Sequence, residues 1–229
     1  MGLASTDTSL YRRGTAAALF GAPLLFLIAN VLHPEEFGAD HEREQLAEIA
    51  GSYTKWQVAH FFTFTSVVVF GAAVLGLAYL VRRRRPGVGL VAGALGLAGL
   101  FGLAFVVALD GYSWAILGEV SSRPDVDGRT LELALHDMQQ SSWSIPYYLT
   151  PLLFIVGVAV LAVNAARQGA ISLPAGLLLA LGVVLVGVEA EVQDNAYFIF
   201  AASVLFLGGA AVAAEVWRLS DEEFEAGGP

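Results

Sequence analysis

The sequence has no cysteine and few charged residues: Asp, Glu, Lys and Arg together make up 14% of its 229 residues. The missing cysteine excludes disulfides, thiolate nucleophiles and thiolate metal ligands, so any metal or redox chemistry must use histidine, carboxylates or a bound cofactor. Soluble domains carry about 25% charged residues. With 56% hydrophobic residues and a mean hydropathy of +0.66, the composition instead predicts an integral membrane protein.

Six apolar stretches are long enough to cross a hydrocarbon layer of about 30 Å as helices. Backbone groups in lipid must be satisfied within their own segment, which favours helices throughout. We therefore predict an all-α, polytopic membrane protein in which residues 1–229 form one bundle of six transmembrane helices, with short outer surface helices near Leu46 and over 130–140. The predicted spans are 14–32, 56–81, 87–109, 144–163, 171–188 and 196–216.

The distribution of cationic residues predicts the orientation of these spans, because Lys and Arg in short loops stay on the cytoplasmic side. Eight cations fall on one side and four on the other, so both termini are expected in the cytoplasm and the chain in the plasma membrane. The outer side then combines fifteen carboxylates with four cations. Its negative field attracts cations and disfavours nucleic acid as a partner. The eight inner cations are Arg12, Arg13, Arg82, Arg83, Arg84, Arg85, Arg167 and Arg218.

Glycines recur along the third predicted span at spacings of three and four, which places them on one helical face. The series is Gly89, Gly93, Gly96, Gly99 and Gly102. Small residues in this pattern let another helix backbone approach closely. The lipid bilayer is the first expected partner, and this face could also dock a second copy of the chain or a larger membrane complex.

The outer half of the predicted topology contains all four histidines, and two of them are close in depth. His33 ends the first span and His60 lies about one turn inside the second. Asn30 precedes His33 by three residues and Thr63 follows His60 by three, so each histidine has a polar neighbour on its own helical face. Ionisable groups at such depth usually face a protein interior, which predicts a polar pocket here.

Carboxylates at the outer ends of later spans complete this candidate site. Asp110 is expected to leave the third span at the level of His60, and Glu189 and Glu191 to leave the fifth. Imidazole and carboxylate groups together suit a divalent metal such as zinc, manganese or iron, with His33, His60, Asp110 and Glu191 as ligands. A b-type haem held by the two histidines is less favoured because both lie near the surface. Histidine titration is the third alternative.

The layout resembles that of uncharacterised six-helix bacterial membrane proteins of actinobacterial type. The resemblance is carried by Leu32-His33-Pro34 at the end of the first span, a short outer helix leading to Trp56 and His60, an Arg-rich inner turn, and small-residue-rich later spans. It covers most of the chain and implies the six-helix architecture. It implies no activity.

Three functions remain open from the sequence. The first is an outer-leaflet pocket of histidine and carboxylate groups that binds or senses a cation, a proton or a small ligand. The second is a metal-dependent membrane enzyme acting on a lipidic substrate, with Asp110 or Glu191 as general base. The third is a structural subunit of a larger membrane complex. Trp56, near an outer span end, is interpreted as an interfacial anchor.

Overall fold

The computed structural model describes residues 4–34, 42–127, 129–131, 133, 144–192 and 194–228. These residues form eight named helices and no strand, with a further short helical stretch at 129–131, so the all-α prediction is confirmed for them. The helices are α1 (Ala4–Leu32), α2 (Glu42–Gly51), α3 (Tyr53–Arg84), α4 (Pro86–Ser121), α5 (Ser144–Arg167), α6 (Leu173–Val192), α7 (Asn195–Arg218) and α8 (Asp221–Ala226).

Five helices within the described part of the chain are long and apolar enough to cross a membrane. They cover Asp7–Leu32, Tyr53–Arg84, Pro86–Ser121, Leu149–Arg167 and Asn195–Arg218. The stretch predicted as the fifth of six spans corresponds to α6, whose apolar part, Leu173–Val188, is shorter than the other five. The chain thus has the composition and helix lengths of a membrane protein.

The helices are longer than the apolar stretches that predicted them. Hydropathy detects only the residues matched to lipid, whereas a helix continues until its backbone is broken. For this reason α3 runs through the arginine series to Arg84, and α4 begins at Pro86. Arg85 leaves the helical region, which a following proline disfavours, with φ −136° and ψ 76°. Proline at the first helical position then starts α4 without losing a hydrogen bond.

The expectation that Asp110 leaves the third helix at its end is wrong. Helix α4 continues through Asp110 to Ser121 and comprises 36 residues. Nothing in this segment stops a helix, and its additional turns are covered by α2, whose Ile49 packs against Gly118. Asp110 is therefore a side chain in the middle of a helix. The outer helix predicted near Leu46 is present as α2, with Leu46 and Ile49 buried, whereas most of the one predicted over 130–140 lies outside the described residues.

The long helices pack in a cyclic order. α1 contacts α3, which contacts α4, and the series continues through α5, α6 and α7 back to α1. Leucine, valine and alanine fill the interior, including the fully buried Leu77, Val158 and Leu161. The backbones of α4 and α5 come together at glycines: a Cβ on Gly157 would lie 2.3 Å from the backbone nitrogen of Gly96. The glycine face predicted on the third span thus packs against neighbours within the same chain.

A short C-terminal helix that the sequence reasoning missed closes the arginine-rich end. Ser220 caps α8 in a capping box with Glu223, and Arg12 forms a 2.9 Å ion pair with Asp221. The helix places Phe224 face to face with Tyr79, their ring centroids 5.4 Å apart. Phe224 is 0% exposed. An apolar anchor therefore holds an otherwise acidic segment against the basic end of α1 and α3.

We expect Phe224→Ala to destabilise the protein by about 3–5 kcal/mol, because truncating a fully buried phenylalanine leaves a cavity between aromatic rings. Thermal unfolding in detergent should show a clearly lower melting temperature. Phe101→Ala is the matched control, since Phe101 is 85% exposed on α4 and should change the melting temperature little. Equal effects of the two substitutions would contradict a structural role for α8.

Candidate functional site

Four side chains meet where α1, α3 and α4 converge, at the end of these helices opposite the arginine-rich turn between α3 and α4. His33 lies one residue beyond α1, Trp56 and His60 lie in the first turns of α3, and Asp110 comes from α4. The spacing of four between Trp56 and His60 places both on one face of α3. The structure thus brings together three of the sequence-predicted site residues, His33, His60 and Asp110.

The aromatic rings of the site pack closely. The Trp56 and His60 centroids are 4.2 Å apart, those of His33 and Trp56 are 4.9 Å apart, and those of His33 and His60 are 5.3 Å apart. Trp56 is 4% exposed, and its indole Nε1 donates a 3.0 Å hydrogen bond to the carbonyl of Gly111. Its interpretation as an interfacial anchor is therefore wrong. Trp56 is buried, connects α3 to α4 through this hydrogen bond, and packs against both imidazole rings.

Both ring nitrogens of His60 have oxygen partners. Nδ1 lies 3.0 Å from the carbonyl oxygen of Trp56, and Nε2 lies 3.3 Å from Oδ2 of Asp110. A carbonyl oxygen only accepts, so Nδ1 carries a hydrogen. A carboxylate also only accepts, so a hydrogen must lie between Nε2 and Oδ2 for this contact to be favourable. For both contacts to be hydrogen bonds, the pair holds one proton more than a neutral imidazole beside an ionised carboxylate.

His33 differs from His60 in its electrostatic state. Its Nδ1 donates to the carbonyl of Pro34 at 3.0 Å, and that carbonyl also accepts a 3.2 Å hydrogen bond from Asn195 at the start of α7. Burial, and after it the charge of the neighbouring His60, lower the pKa of His33 from its ordinary 6.5 to about 4. His33 is therefore neutral at physiological pH, with its hydrogen on Nδ1.

Gly111 permits the contact between α3 and α4 at this site. A Cβ on Gly111 would lie 2.8 Å from Cβ, Cγ and Cδ2 of His60, closer than packed carbon atoms allow. Any side chain here would force the imidazole away from Asp110. Sequence reasoning missed both Gly111 and Trp56 as members of the site. The signal available was the pairing of Trp56 and His60 four residues apart, followed in a later span by Asp110-Gly111.

The polar neighbours predicted from the sequence do not join this cluster through their hydrogen bonds. Asn30 donates to the carbonyl of Phe26 at 2.9 Å, and Thr63 donates to that of Ala59 at 3.1 Å. Each therefore satisfies itself on its own helix, as short polar side chains commonly do. Glu189 and Glu191 lie within α6, but their side chains fall outside the described part, as do the whole of His41 and His136.

Metal binding gains no support from the described residues, which contain no group of three or more histidine or acidic side chains arranged to hold an ion. His60 already uses both ring nitrogens, so a metal on Nε2 would have to replace the hydrogen shared with Asp110. The metal site predicted from His33, His60, Asp110 and Glu191 stays a prediction, and the side chain of Glu191 lies outside the described part. Haem ligation by His33 and His60 stays the less favoured alternative, because both ring nitrogens of His60 already face oxygen partners.

We expect acid to destabilise the protein through His33. The unfolded histidine takes up a proton near pH 6.5 and the folded one near 4, so between these values the unfolded chain binds more protons. The stabilisation is complete above about 6.5 and is lost as the pH falls toward 4. Melting temperatures measured across this window should fall less steeply for His33→Gln than for the wild type. Parallel curves for the two proteins would show that His33 does not titrate in this way.

Comparison with family models, with curated proteins and with solved structures finds no match to this chain. Its function must therefore be argued from the geometry of the site itself. The likeness of its layout to six-helix bacterial membrane proteins remains an expectation from the sequence.

Proposed function

We propose that this chain is a plasma-membrane protein of six spans, with both termini in the cytoplasm and the site around His60 on the outer side. The sixth span is α6: its 20 residues extend about 30 Å as a helix, and it packs between α5 and α7. The orientation is supported by the arginine-rich turn between α3 and α4 and by α8, which packs at the same end. Both lie at the end of the helices opposite His60.

The topology can be tested by single-cysteine labelling, because the native chain has no cysteine. We expect Asp125→Cys to react with a membrane-impermeant maleimide in intact cells, since it follows α4 on the proposed outer side. Glu222→Cys, on the exposed face of α8, should react only after the membrane is permeabilised. The reverse pattern would invert the orientation, and labelling of both in intact cells would mean an even number of spans between them instead of the proposed three.

We propose further that the site of His33, Trp56, His60 and Asp110 binds and senses a proton. The observation that carries this proposal is the double engagement of His60, whose two ring nitrogens face a carbonyl and a carboxylate. We place the shared hydrogen on Nε2 of the imidazole, from which it is donated to the carboxylate. The resting pair is then an imidazolium beside a carboxylate, neutral as a unit.

Loss of this proton would change how α3 and α4 contact each other. A neutral His60 that keeps its hydrogen on Nδ1 would present a lone pair to Asp110, and the attraction would become a repulsion. The same region carries Ala115 and Trp114 of α4, against which Ile49 of α2 packs. Deprotonation would therefore weaken the contact between α4 and α3 and move the residues of α4 against which α2 packs. A change in the protonation of His60 would in this way alter the structure of the outer surface.

Protonation of His60 can be measured directly by nitrogen NMR of the protein labelled at histidine. At about pH 7 we expect hydrogens on both ring nitrogens of His60 and only on Nδ1 of His33. In Asp110→Asn the side-chain amide can donate to Nε2, so His60 should become neutral. The His60→Gln variant identifies the signals of His60, because they are missing from its spectrum.

Asp125→Asn provides the matched control, because it removes an exposed carboxylate from the same outer side and should leave the His60 spectrum unchanged. A neutral His60 in the wild type, with the same spectrum in Asp110→Asn, would overturn the proton proposal. The alternative of a metal-dependent enzyme would be supported if added zinc, manganese or iron displaced the shared hydrogen and Glu191→Gln prevented that displacement.

A further inference from the structure

Two arginines of adjacent helices lie together at the arginine-rich end of α4 and α5. Arg85 directly precedes the apolar helix that begins at Pro86, and Arg167 ends the one that begins at Leu149. Nη1 of Arg85 donates a 3.0 Å hydrogen bond to Oδ1 of Asn164 on α5. Arg167 follows Asn164 by three residues and therefore shares its helical face. Both arginines are exposed, and their position at the ends of two spans is the depth of lipid headgroups.

The positive charge of this pair is not neutralised by its neighbours. In the part of the chain that the structure describes, neither arginine forms an ion pair with a carboxylate. Helix α5 contains no acidic residue, and α4 has none before Asp110. Glu215, near the end of α7, already accepts a hydrogen bond from the hydroxyl of Ser172. A guanidinium has five donors, so Arg85 keeps most of its donors after the bond to Asn164.

Other arginines of this end have partners on the side of α1 and α3. Arg12 pairs with Asp221 of α8, and the guanidinium groups of Arg82 and Arg83 lie over the ring of Tyr79, 5.0 and 4.6 Å from its centroid. The acidic α8 packs on α1 and α3. The negative charge of the C-terminal segment thus serves that side of the arginine-rich turn, whereas Arg85 points to α5.

An apolar strip of α5 continues directly from the two arginines. Val160 and Val156 precede Asn164 by four and eight residues on its helical face, and both are exposed. A hydrocarbon chain cannot pass between α4 and α5, because their backbones touch at Gly96 and Gly157. It can lie along the outside of the pair. A ligand that satisfies both parts therefore carries an anionic headgroup and a hydrocarbon chain.

We propose that an anionic phospholipid binds here, its phosphodiester bridging the guanidinium groups of Arg85 and Arg167 while an acyl chain lies along Val156 and Val160. Guanidinium groups match phosphate oxygens with paired hydrogen bonds. A zwitterionic lipid binds less well, since its ammonium group adds a cation beside the two arginines. A soluble phosphate would gain the headgroup contacts without burying a chain. The inference takes only the choice of the inner leaflet from the proposed topology and does not involve the proton site.

The test measures lipid binding to the full-length protein, delipidated in a neutral detergent, by native mass spectrometry. Dioleoyl phosphatidylglycerol and dioleoyl phosphatidylcholine have the same chains and differ in headgroup charge. We expect the first phosphatidylglycerol to bind on the order of tenfold more tightly than phosphatidylcholine. Inorganic phosphate and glycerophosphoglycerol, the same headgroup without chains, should not displace it at equal concentration. Displacement by either would indicate a site for a soluble anion and overturn the lipid proposal.

Combining Arg85→Gln with Arg167→Gln should remove the preference for phosphatidylglycerol. The matched control combines Arg82→Gln with Arg83→Gln, which removes the same charge from the same end but from the side of Tyr79, and it should keep the preference. Asn164→Asp is nearly isosteric and places a carboxylate beside Arg85 without removing an arginine. It should also lower the preference, and it decides the question if the first double variant does not fold.

Two results would overturn the site. Equal loss of preference in the two double variants would mean that the basic surface attracts anionic lipid as a whole and that Arg85 and Arg167 form no distinct site. An unchanged preference in Asn164→Asp would mean that the headgroup does not contact Arg85. The nitrogen spectrum of His60 should be the same in all these variants, so failure of the lipid site and failure of the proton site are seen separately.

Discussion

The rest of the structure depends on how closely α4 approaches its neighbours. Glycines make this approach: a Cβ on Gly89 would lie 2.6 Å from the backbone nitrogen of Arg82, and one on Gly99 would lie 2.3 Å from that of Phe154. Between apolar helices in an apolar solvent there is little hydrophobic driving force, so close backbone packing has to supply the attraction. The candidate site forms because the same helix also approaches α3 closely at Gly111.

The two ends of the α3 and α4 pair are stabilised by different interactions. At the arginine-rich end, α8 adds a buried phenylalanine and an ion pair, and Arg84 donates to the carbonyls of Gln168 and Gly228. These contacts combine apolar burial with permanent charges. At the opposite end, the link is made by the buried Trp56 and by the contact between His60 and Asp110. The proposed proton site would make this second link depend on proton activity.

The sequence by itself determined that the chain is helical and apolar, that most of its cations lie at one end, and that His33, His60 and Asp110 lie at similar depth. These properties follow from composition and from the rise of a helix, which hydropathy measures along the chain. Only the tertiary structure decided which side chains meet. It continued α4 past Asp110, made Trp56 a buried link, assigned Gly111 to the site, and left Asn30 and Thr63 bonded to their own helices. The reason is that contacts between helices depend on rotation and separation, which long-range packing of small residues establishes and local hydropathy does not record.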